Sequence, residues 1–569
     1  MNASRHPPEG PFALRSEVLG ALPIIDHFLA RLHVDDLLDA YVPSSDDRVR
    51  LAPAKALGTL VRNLAVDHEP VYALCEWAGP YDPALFGLRA AEVALLNDDR
   101  VGRALTSLFD ADRSSLLNAL VLGAVADFDI DCTQLHNDST SVRLSGAYRS
   151  AVGGSRGGKA TVAAARGFSK DHRPDLLQLV WILTVTADGA VPIAHRVEPG
   201  NTEDSSTHIT TWDSLCELLG RSDYMYVGDS KLATKENMDH IDRHGGRFLS
   251  VLPANRKEDG AFRGWLVTHE ANWTEALRRP GRRHGDPSDI YATAEAPWPS
   301  AEGYRVVWVR SSGKVERDAE SRRRRIAEGI AALDELNQRL ASPRTRMKSL
   351  VAVEAAARNA LKVVGVTRWV GFEVQEYEEV RHRQESRGRP GKNTRYRRLT
   401  RTRHRVHFRV HEDIVAADAR SDGCWPLVTN DRDLAPEGLL VIYKYQPNLE
   451  RRHHVLKGDQ LVAPVFLHDP ARIEGLMTCH FIALVVQALV ELQIRRAMAD
   501  QGLKELPLYP EDRACSAPSA TRVFEVFAGL ARQHLRDTHG HYVQTFSPEL
   551  TKLQHQVLGL LDVPPTRYR

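Results

Sequence analysis

The hydrophobic periodicity of the chain changes at Phe128, and this change constrains the fold more than any other feature of the sequence. Residues 18–125 carry apolar side chains at a spacing of three to four, as in APAKALGTLVRNLAV (52–66), which predicts amphipathic helices. From Phe128 onward, polar and apolar residues alternate in FDIDCTQLHNDSTSVRL, which predicts a half-buried strand. A helical N-terminal region is therefore followed by a region that contains a β-sheet.

The segment between 128 and 253 places strands and helices in a defined order. The runs LLQLVWILTV and VPIAHRVEP flank Asp188 and Gly189, and they predict two strands joined as a hairpin. A helix, the short strand YMYVGD (224–229), a second helix and the strand RFLSVLP (247–253) come next. Three strands, a helix, a strand, a helix and a strand make an α/β fold with a mixed sheet.

The α/β pattern is interrupted after this segment. Residues 254–420 contain two predicted helices, a basic stretch and the alternating run HRVHFRV, and they predict an inserted domain. A strand at 421–430 and helices after Pro436 predict the return of the chain to the core. The chain then divides into a helical N-terminal domain (1–125), the first part of the core (126–253), a basic and partly β insertion (254–420), the second part of the core (421–500) and a C-terminal helical region (501–569).

The cysteines and the apolar runs exclude several classes of protein. Six cysteines lie far apart without a C-x-x-C pair, which argues against a disulfide framework and a structural zinc site. The first 17 residues lack the apolar core of a signal peptide. The longest apolar run, 481–494, is broken by polar residues and is shorter than the roughly 20 residues of a membrane span. We therefore expect a buried helix there, and a soluble cytoplasmic protein without a membrane partner.

The basic residues are concentrated although the net charge is only +1. Between Arg381 and Arg409 there are twelve Lys or Arg residues, with Glu385 as the single acidic residue. Such a density of positive charge suits contact with nucleic-acid phosphates. A solvated loop has the same composition, so the composition leaves both interpretations open.

Two aspartates occupy positions at which α/β folds place their sites. Asp138 lies in HNDSTS after a predicted strand, and Asp229 closes the buried strand YMYVGD. Ligands of such folds bind at the ends of strands. Aspartate is also a common turn former and helix cap, so a structural role remains an alternative for each.

A glutamate further along the chain has neighbours at helical spacing. Steps of three, four and seven residues separate the members of one predicted helix stripe: Tyr443, Gln446, Glu450 and Lys457. The stripe could bind a metal ion and a phosphate, or form a solvated helix face. Pro447 favours the first turn of a helix, so we expect the helix of Glu450 to begin there, after a kink that follows Tyr443.

Two aspartates and a glutamate together suit the chemistry of phosphodiesters. Carboxylate oxygens are ligands for Mg²⁺ or Mn²⁺, and two such ions about 4 Å apart support displacement at phosphorus. Zinc would require a cluster of His or Cys, and neither His453 and His454 nor the His residues at 534–541 form a suitable motif.

Several blocks of the chain resemble those of insertion-sequence transposases. These blocks are HNDSTSVRLSGAY (136–148), GFSKDHRPDLLQLV (167–180), GNTEDSSTH (200–208), YVGDSKLATKENM (226–238) and YKYQPNLERRHHVLKGDQLVAPVFLHDPARIEGLMTCHFIALVVQALVELQIRRAM (443–498). The chain is similar to the DDE class with a ribonuclease-H-like core, in the branch that has a large insertion before the glutamate. The long separation between Asp229 and Glu450 fits that insertion.

The resemblance implies roles for individual residues. Asp138, Asp229 and Glu450 would be the catalytic acids and would hold two Mg²⁺ (or Mn²⁺) ions. Tyr443 and Lys457 match the Y-x2-R-x3-E-x6-K signature of the branch, which implies that Tyr443 positions DNA and Lys457 contacts a phosphate. Gln446 departs from the signature, because it stands where the signature has Arg.

The resemblance also implies a function for the whole chain. It implies a DNA transposase that cleaves and joins double-stranded DNA at element ends and target, as a dimer or larger assembly at the nucleoid of a bacterial cell. In related enzymes the insertion is largely β-structured and shapes and protects DNA ends, which implies DNA contacts for Arg395, Arg397 and Arg398. Trp369 would stack on a base or lie buried, and the helical N-terminal domain would recognise terminal repeats. Two other functions remain open: a transposase-derived DNA-binding protein without catalysis, and a stand-alone metal-dependent nuclease.

Overall fold

The computed structural model describes residues 12–44, 49–146, 148, 151–281, 285–463, 465–537, 539 and 541–569. Most of the N-terminal segment that we searched for a signal peptide therefore lies outside the described residues.

The helices are distributed along the whole described chain. They are α1 (Leu22–Arg31), α2 (Val34–Tyr41), α3 (Pro53–Val66), α4 (Leu74–Ala78), α5 (Ala90–Val93), α6 (Asp98–Asp110), α7 (Arg113–Asp127), α8 (His208–Leu219), α9 (Lys235–Arg243), α10 (Lys257–Thr268), α11 (Ser312–Ala341), α12 (Leu350–Val364), α13 (Glu412–Ala419), α14 (Pro436–Tyr443), α15 (Gln446–His454), α16 (Pro470–Asp500), α17 (Ala520–Glu525) and α18 (Lys552–Leu560).

The strands lie mostly between α7 and α14. They are β1 (Phe12–Val18), β2 (Gln134–Leu144), β3 (Val152–Arg156), β4 (Lys159–Ala163), β5 (Leu177–Thr186), β6 (Pro192–Pro199), β7 (Met225–Val227), β8 (Arg247–Val251), β9 (Thr274–Arg279), β10 (Asp289–Glu295), β11 (Arg305–Ser311), β12 (Val370–Gln384), β13 (Tyr396–Val410), β14 (Cys424–Thr429), β15 (Leu506–Tyr509), β16 (Arg513–Cys515), β17 (Ala531–Asp537) and β18 (Tyr542–Phe546).

The chain forms two compact units, and the second is inserted into the first. The first unit contains residues 1–250 and 442–569, and the second contains residues 251–441. The second unit is wider than the insertion predicted at 254–420, because it includes β14, which pairs antiparallel with β11. The sequence of β14 predicts a strand but carries no information about which strand will be its neighbour.

A mixed sheet forms the centre of the first unit, with the strand order β6-β5-β2-β7-β8. Strand β5 runs antiparallel to both β2 and β6, whereas β7 runs parallel to both β2 and β8. Nine of the ten residues of β5 are buried, as its continuous apolar sequence requires of a strand covered on both faces. The prediction of an α/β fold with a mixed sheet is confirmed.

The long helix α16 supplies much of the apolar core of the first unit. It packs against α3, α6 and β6. By length and composition it could cross a membrane, but its most apolar 18-residue window is entirely buried inside the protein. At Gly475 an added Cβ would lie 2.5 Å from the carbonyl oxygen of Leu105, so α16 and α6 approach too closely there for a side chain. The buried helix predicted at 481–494 is confirmed.

The C-terminal region does not have the predicted secondary structure. Residues 501–569 were predicted to be helical, but they contain β15 to β18 between and beside the short helices α17 and α18. Strand β17 pairs antiparallel with β1 from the opposite end of the chain, with Val18 opposite Ala531. The helical prediction is wrong for this region because the partner that holds β17 as a strand lies about 500 residues away.

The second unit contains four antiparallel strands and a long hairpin. The four strands follow one another in the order β14-β11-β10-β9, and the hairpin is formed by β12 and β13. Helices α11 and α12 pack against the base of the hairpin through an apolar cluster that includes Leu333, Leu336, Val353, Val370 and Val406. The partly β character predicted for the insertion is therefore present in this unit.

Candidate active site

The strand register brings Asp138 and Asp229 close together at the carboxyl end of β7. His136 of β2 lies opposite Val227, the last residue of the parallel strand β7. Asp138 lies two residues further along β2, and Asp229 lies two residues beyond the end of β7, where neighbouring strands are about 4.8 Å apart. Asp138 does not follow a strand as predicted, because β2 continues past it to Leu144 through its pairing with β5. The two aspartates are near enough for the charge of Asp138 to raise the pKa of Asp229.

Asp229 also forms a local turn. Its Oδ1 accepts a hydrogen bond from the backbone N–H of Lys231 at 2.9 Å, and its carbonyl oxygen accepts one from Ser250 at 2.6 Å. The first contact is the turn-forming role that aspartate often has after a strand. The structure therefore supports the structural role, and this role leaves the second carboxylate oxygen of Asp229 available for another contact.

A lysine and a further aspartate lie beside Asp138. Lys170 Nζ is 3.3 Å from Asp138 Oδ1 and 3.5 Å from Asp204 Oδ2. It also donates hydrogen bonds to the carbonyl oxygen of Ser139 at 2.6 Å and to Ser139 Oγ at 2.9 Å. Ser139 Oγ in turn donates to Asp204 Oδ1 at 2.6 Å. One ammonium group thus connects two carboxylates and a serine.

The charges of this group are not balanced. Burial raises the pKa of Asp138, although the Lys170 ammonium acts in the opposite direction. Burial also raises the pKa of Asp229, and the charge of Asp138 adds to the shift. Desolvation disfavours the Lys170 ammonium, but the charges of Asp138 and Asp204 outweigh it and raise the pKa of Lys170. The raised pKa values of Asp138 and Asp229 therefore reflect burial, which the Lys170 ammonium offsets only in part.

A cleft of about 260 Å³ opens beside these residues. Lys170, Asp204, Asp229 and Lys231 line it. Phe168 lies at the same cleft, and 89% of its surface is exposed. The cleft therefore combines carboxylates, cations and an exposed aromatic ring at the edge of the sheet.

Glu450 lies on α15, which begins at Gln446 with Pro447 in its first turn. Tyr443 is the last residue of α14, and Lys457 lies in a π-helical turn, so the predicted stripe is divided among three short elements. The side chain of Glu450 is exposed. Burial raises the pKa of Tyr443 to about 12, and the charges of Asp229, Glu450 and Asp138 add to the shift. The pKa of Tyr443 therefore depends on the charges of all three predicted acids.

Gln446 connects α15 to the strand of Asp138. Its side chain is buried, and its Oε1 lies 2.7 Å from Nδ1 of His136. Its Nε2 donates to the carbonyl oxygen of Asn137 at 3.2 Å. Burial lowers the pKa of His136 to about 4, so the imidazole is neutral and Nδ1 donates to Gln446. The residue that departs from the family signature therefore anchors the helix of Glu450 to β2.

The predicted phosphate-binding residue Lys457 is paired within the protein. Its Nζ lies 2.8 Å from Asp171 Oδ1. On the same face of the chain, burial lowers the pKa of His453 to about 3, and the charges of Lys170 and Lys457 contribute to the shift. His453 is therefore a neutral, buried imidazole beside the two lysines.

The basic residues of the second unit lie on the hairpin of β12 and β13. Arg395 lies in the connecting loop, Arg397 and Arg398 lie at the start of β13, and all three are exposed. Trp369 precedes β12, where its Nε1 donates to Asp418 at 2.8 Å and the guanidinium of Arg325 lies 5.4 Å from its ring. Trp369 is half-buried and held by these contacts, which favours the structural interpretation over stacking on a base.

The side chains around Asp138 and Asp229 offer few ligands to a metal ion. Within the ranges that the structure describes, no three His, Cys, Asp or Glu side chains converge closely enough to hold one. Mg²⁺ needs fewer protein ligands, since it keeps several waters and is often held by one or two carboxylates together with substrate phosphates. The carboxylates of Asp138 and Asp229 fit this requirement.

Three residues of this region were not singled out from the sequence: Lys170, Asp171 and Asp204. They lie in the blocks GFSKDHRPDLLQLV and GNTEDSSTH, whose resemblance to the transposase blocks was the one signal for them. Their side chains meet Asp138 and Lys457 only through folding, and their spacing follows neither helix nor strand periodicity.

Part of the chain matches a described family of proteins. The model of a family described as a domain of unknown function (DUF4277) matches residues 14–122, which extend from β1 into α7. No curated protein matches the chain. Among solved structures, a cryo-EM structure of a piggyBac transposase synaptic complex with hairpin DNA is similar at 10% identity, with a TM-score of 0.23 over 50% of this chain. The chain spans 59% of the length of that protein.

Proposed function

We propose that this protein is a DNA transposase that uses divalent metal ions to cleave and join DNA at the ends of an insertion element. The observation that carries the proposal is the register of β2 and β7, which brings Asp138 and Asp229 close together at the carboxyl end of β7. Burial raises the pKa of both carboxyls, and carboxyls with shifted pKa values beside a cleft are candidates for a functional site.

The strand order gives the proposal further support. Three antiparallel strands, then a helix, a parallel strand, a helix and a second parallel strand form the first unit as far as residue 250. This is the layout that we propose to be the ribonuclease-H-like core of the resembling transposases. The second unit then occupies the position of their insertion before the glutamate.

Each residue has a proposed role. Asp138, Asp229 and Glu450 would hold the metal ions, and Glu450 would reach them from the exposed face of α15. Tyr443 would position DNA near these acids, as the resemblance implies, and it lies within the electrostatic field of all three. Lys457 would contact a phosphate, and Arg395, Arg397 and Arg398 would contact DNA from the hairpin of the second unit.

Bound Mg²⁺ or Mn²⁺ would supply positive charge to the attacking and leaving oxygens of a phosphodiester. The side chains of the site would hold the phosphate in the orientation that the reaction needs. The attacking oxygen belongs to water in cleavage and to a 3′-hydroxyl in joining, so one site serves both reactions. The partners are double-stranded DNA and, because two element ends must be paired, a second copy of this chain.

The test is an incubation of the full-length protein with a labelled terminal repeat, Mg²⁺ and a target plasmid. The repeat is taken from the DNA that flanks the reading frame. We expect cleavage at the repeat end and joining to the plasmid, both lost in Asp229→Asn and retained in Lys235→Met, a lysine whose partner Asp239 lies on α9. Cutting without preference for the repeat would indicate a nuclease, and a band shift without cleavage would indicate a DNA-binding protein.

A further inference from the structure

We propose that Lys170 and Asp171 are further positioning residues of this site, which stand in for its ligands when the ligands are absent. The Lys170 ammonium takes the place of a metal cation beside Asp138 and Asp204, and the Asp171 carboxylate takes the place of a DNA phosphate on Lys457. The inference rests on the proposed function, since it assigns metal and phosphate to these positions.

The contacts of Lys170 are those of a cation held by oxygen ligands. Its Nζ is surrounded by Asp138 Oδ1 at 3.3 Å, Asp204 Oδ2 at 3.5 Å, and the carbonyl and hydroxyl oxygens of Ser139 at 2.6 and 2.9 Å. Two of these oxygens are carboxylate oxygens, and one belongs to a proposed metal-binding residue. A divalent ion at Asp138 would compete directly with the ammonium group.

The next residue has the complementary contact. Asp171 Oδ1 lies 2.8 Å from Lys457 Nζ, on the turn that follows the helix of Glu450. The ammonium groups of Lys457 and Lys170 are thus both neutralised within the protein, one by Asp171 and the other by Asp138 and Asp204. A DNA phosphate that binds Lys457 must replace the Asp171 carboxylate.

The two exchanges are coupled through the backbone. Lys170 and Asp171 are consecutive residues of the loop between β4 and β5, so a movement that frees one side chain moves the other. The contacts of the loop backbone near these two residues include a hydrogen bond from the N–H of Lys170 to Ser141 Oγ at 3.1 Å and one from Gln178 Nε2 to the carbonyl oxygen of Phe168 at 3.1 Å. We therefore expect metal binding to favour DNA binding, and the reverse, because linkage between two sites is reciprocal.

The first test is an Mn²⁺ titration of the full-length protein without DNA, followed by electron paramagnetic resonance of free Mn²⁺. Lys170→Met removes the competing cation, so the dissociation constant for Mn²⁺ should fall by about five-fold or more. Lys235→Met, which breaks a lysine–aspartate pair of 2.6 Å on α9, should change it less than about two-fold. A lysine that merely supports the fold would give the opposite sign, since its loss would loosen the site.

A second measurement uses the unmodified protein and so does not depend on a variant that folds. Lysines are acetylated with limiting reagent, with and without saturating Mg²⁺, and the modified residues are quantified by mass spectrometry. Labelling of Lys170 should increase severalfold with Mg²⁺, and labelling of Lys235 should not change. Equal labelling of Lys170 in both conditions would overturn the inference.

The third measurement concerns Asp171. Asp171→Asn should tighten binding of a short duplex by about two- to five-fold, the range of one exposed ion pair. The gain should disappear in the double variant with Lys457→Met, and Asp175→Asn on the same loop, whose carboxylate pairs with Arg173 at 2.7 Å, should lack it.

The outcomes separate the inference from the proposed function. If neither the unmodified protein nor Lys170→Met binds Mn²⁺, either alone or together with a terminal-repeat duplex, the proposed function fails and the inference fails with it. If Mn²⁺ binds but Lys170→Met leaves the affinity unchanged or weaker, the inference alone is overturned. If Mn²⁺ binding tightens in Lys170→Met and the Asp171→Asn gain depends on Lys457, both parts of the inference are supported.

Discussion

Two groups of carboxylates in this protein each surround one basic side chain, and they differ in how the charges are balanced. In the first unit, Lys170 contacts Asp138 and Asp204, and Asp229 contributes to the same field. In the second unit, Arg256 forms ion pairs with Glu258 at 2.8 Å and with Glu302 at 2.7 Å.

The pKa values of the two groups shift in opposite directions. Hydrogen bonding to Arg256 lowers the pKa of Glu258 to about 2. Burial opposes ionisation of Glu302, but hydrogen bonds from Arg256 and Ser300 lower its pKa as well. The pKa of Asp138 and of Asp229 is raised instead, with burial as the main cause.

The difference follows from the chemistry of the two cations. Each cation contacts two carboxylates, but the planar guanidinium of arginine matches them with several directed hydrogen bonds, whereas the lysine ammonium is a compact point charge. Hydrogen bonds from Arg256 therefore keep both glutamates ionised without a ligand. At Lys170 burial outweighs the ammonium, so the ionised form of Asp138 is penalised, and a bound cation would relieve that penalty.

The largest expected effect separates the two groups by activity. Asp229→Asn should lower cleavage of a labelled terminal repeat by at least about 10³-fold, the scale seen when a group that stabilises transition-state charge is removed. Glu302→Gln should retain cleavage under conditions in which the protein is folded, because its partner Arg256 belongs to the balanced group. Equal losses in the two variants would show that the charge balance does not distinguish a site from a structural cluster.

The second effect concerns the stability of the balanced group. Arg256→Met leaves two largely buried glutamates without their cation, and we expect a loss of about 2–3 kcal/mol in the unfolding free energy of the second unit. The measurement is urea unfolding, monitored by tryptophan fluorescence. The Glu258 pKa is lowered from 4.5 to about 2, so its stabilisation is complete above about pH 4.5 and is lost as the pH falls toward 2. The difference between the two proteins should therefore shrink below pH 4.5, and a constant difference down to pH 3 would contradict this account.

The third effect is smaller and has the opposite sign. Asp229→Asn should stabilise the metal-free protein by about 1 kcal/mol at neutral pH, because it removes a buried negative charge and keeps the oxygen that accepts from Lys231. The Asp229 pKa is raised on folding, so the folded state is penalised as the pH rises above the unfolded pKa of 3.8, and the penalty is complete above the folded pKa. The gain should vanish at acidic pH, where the carboxyl is protonated in both states. Glu258→Gln is the matched variant and should destabilise the protein; a gain there as well would break the comparison.

Particular residues show how far the sequence could predict this structure. The alternation in FDIDCTQLHNDSTSVRL and the short apolar run before Asp229 predicted β2 and β7, and the order of the elements predicted a mixed sheet. Pro447 predicted where the helix of Glu450 begins, and α15 begins one residue earlier. These features depend on local chemistry, which a single sequence contains.

The features that were missed depend on distant parts of the chain. Strand β17 exists because β1 pairs with it, and β14 joins β11 across more than 100 residues. Lys457 forms an ion pair with Asp171, which lies 286 positions away in the sequence. The phosphate-binding role predicted for Lys457 therefore takes no account of this carboxylate. In the sequence, Gln446 stands out only because it lacks the positive charge of the Arg in the family signature. In the structure, its side-chain amide forms hydrogen bonds with His136 and Asn137 of β2. No periodicity encodes such contacts, since packing alone determines them.

The smallest expected effect extends the comparison to the basic hairpin of the second unit. Halfway along it, Arg403 is buried and paired with Glu379 at 2.8 Å, whereas toward the tip Arg397 and Arg398 are exposed and form no ion pair within the described part of the chain. If unpaired positive charge marks a binding surface, each of Arg397→Gln and Arg398→Gln should reduce the salt dependence of DNA binding by about one unit of log–log slope.

The control is Arg323→Gln on α11, which breaks an exposed pair of 2.7 Å with Glu320 and should leave the slope unchanged. Fluorescence anisotropy of a labelled duplex across a series of salt concentrations measures the slopes. Equal slopes in all the variants would show that Arg397 and Arg398 do not contact DNA phosphates. A charge without a partner would then indicate a binding site only around Lys170.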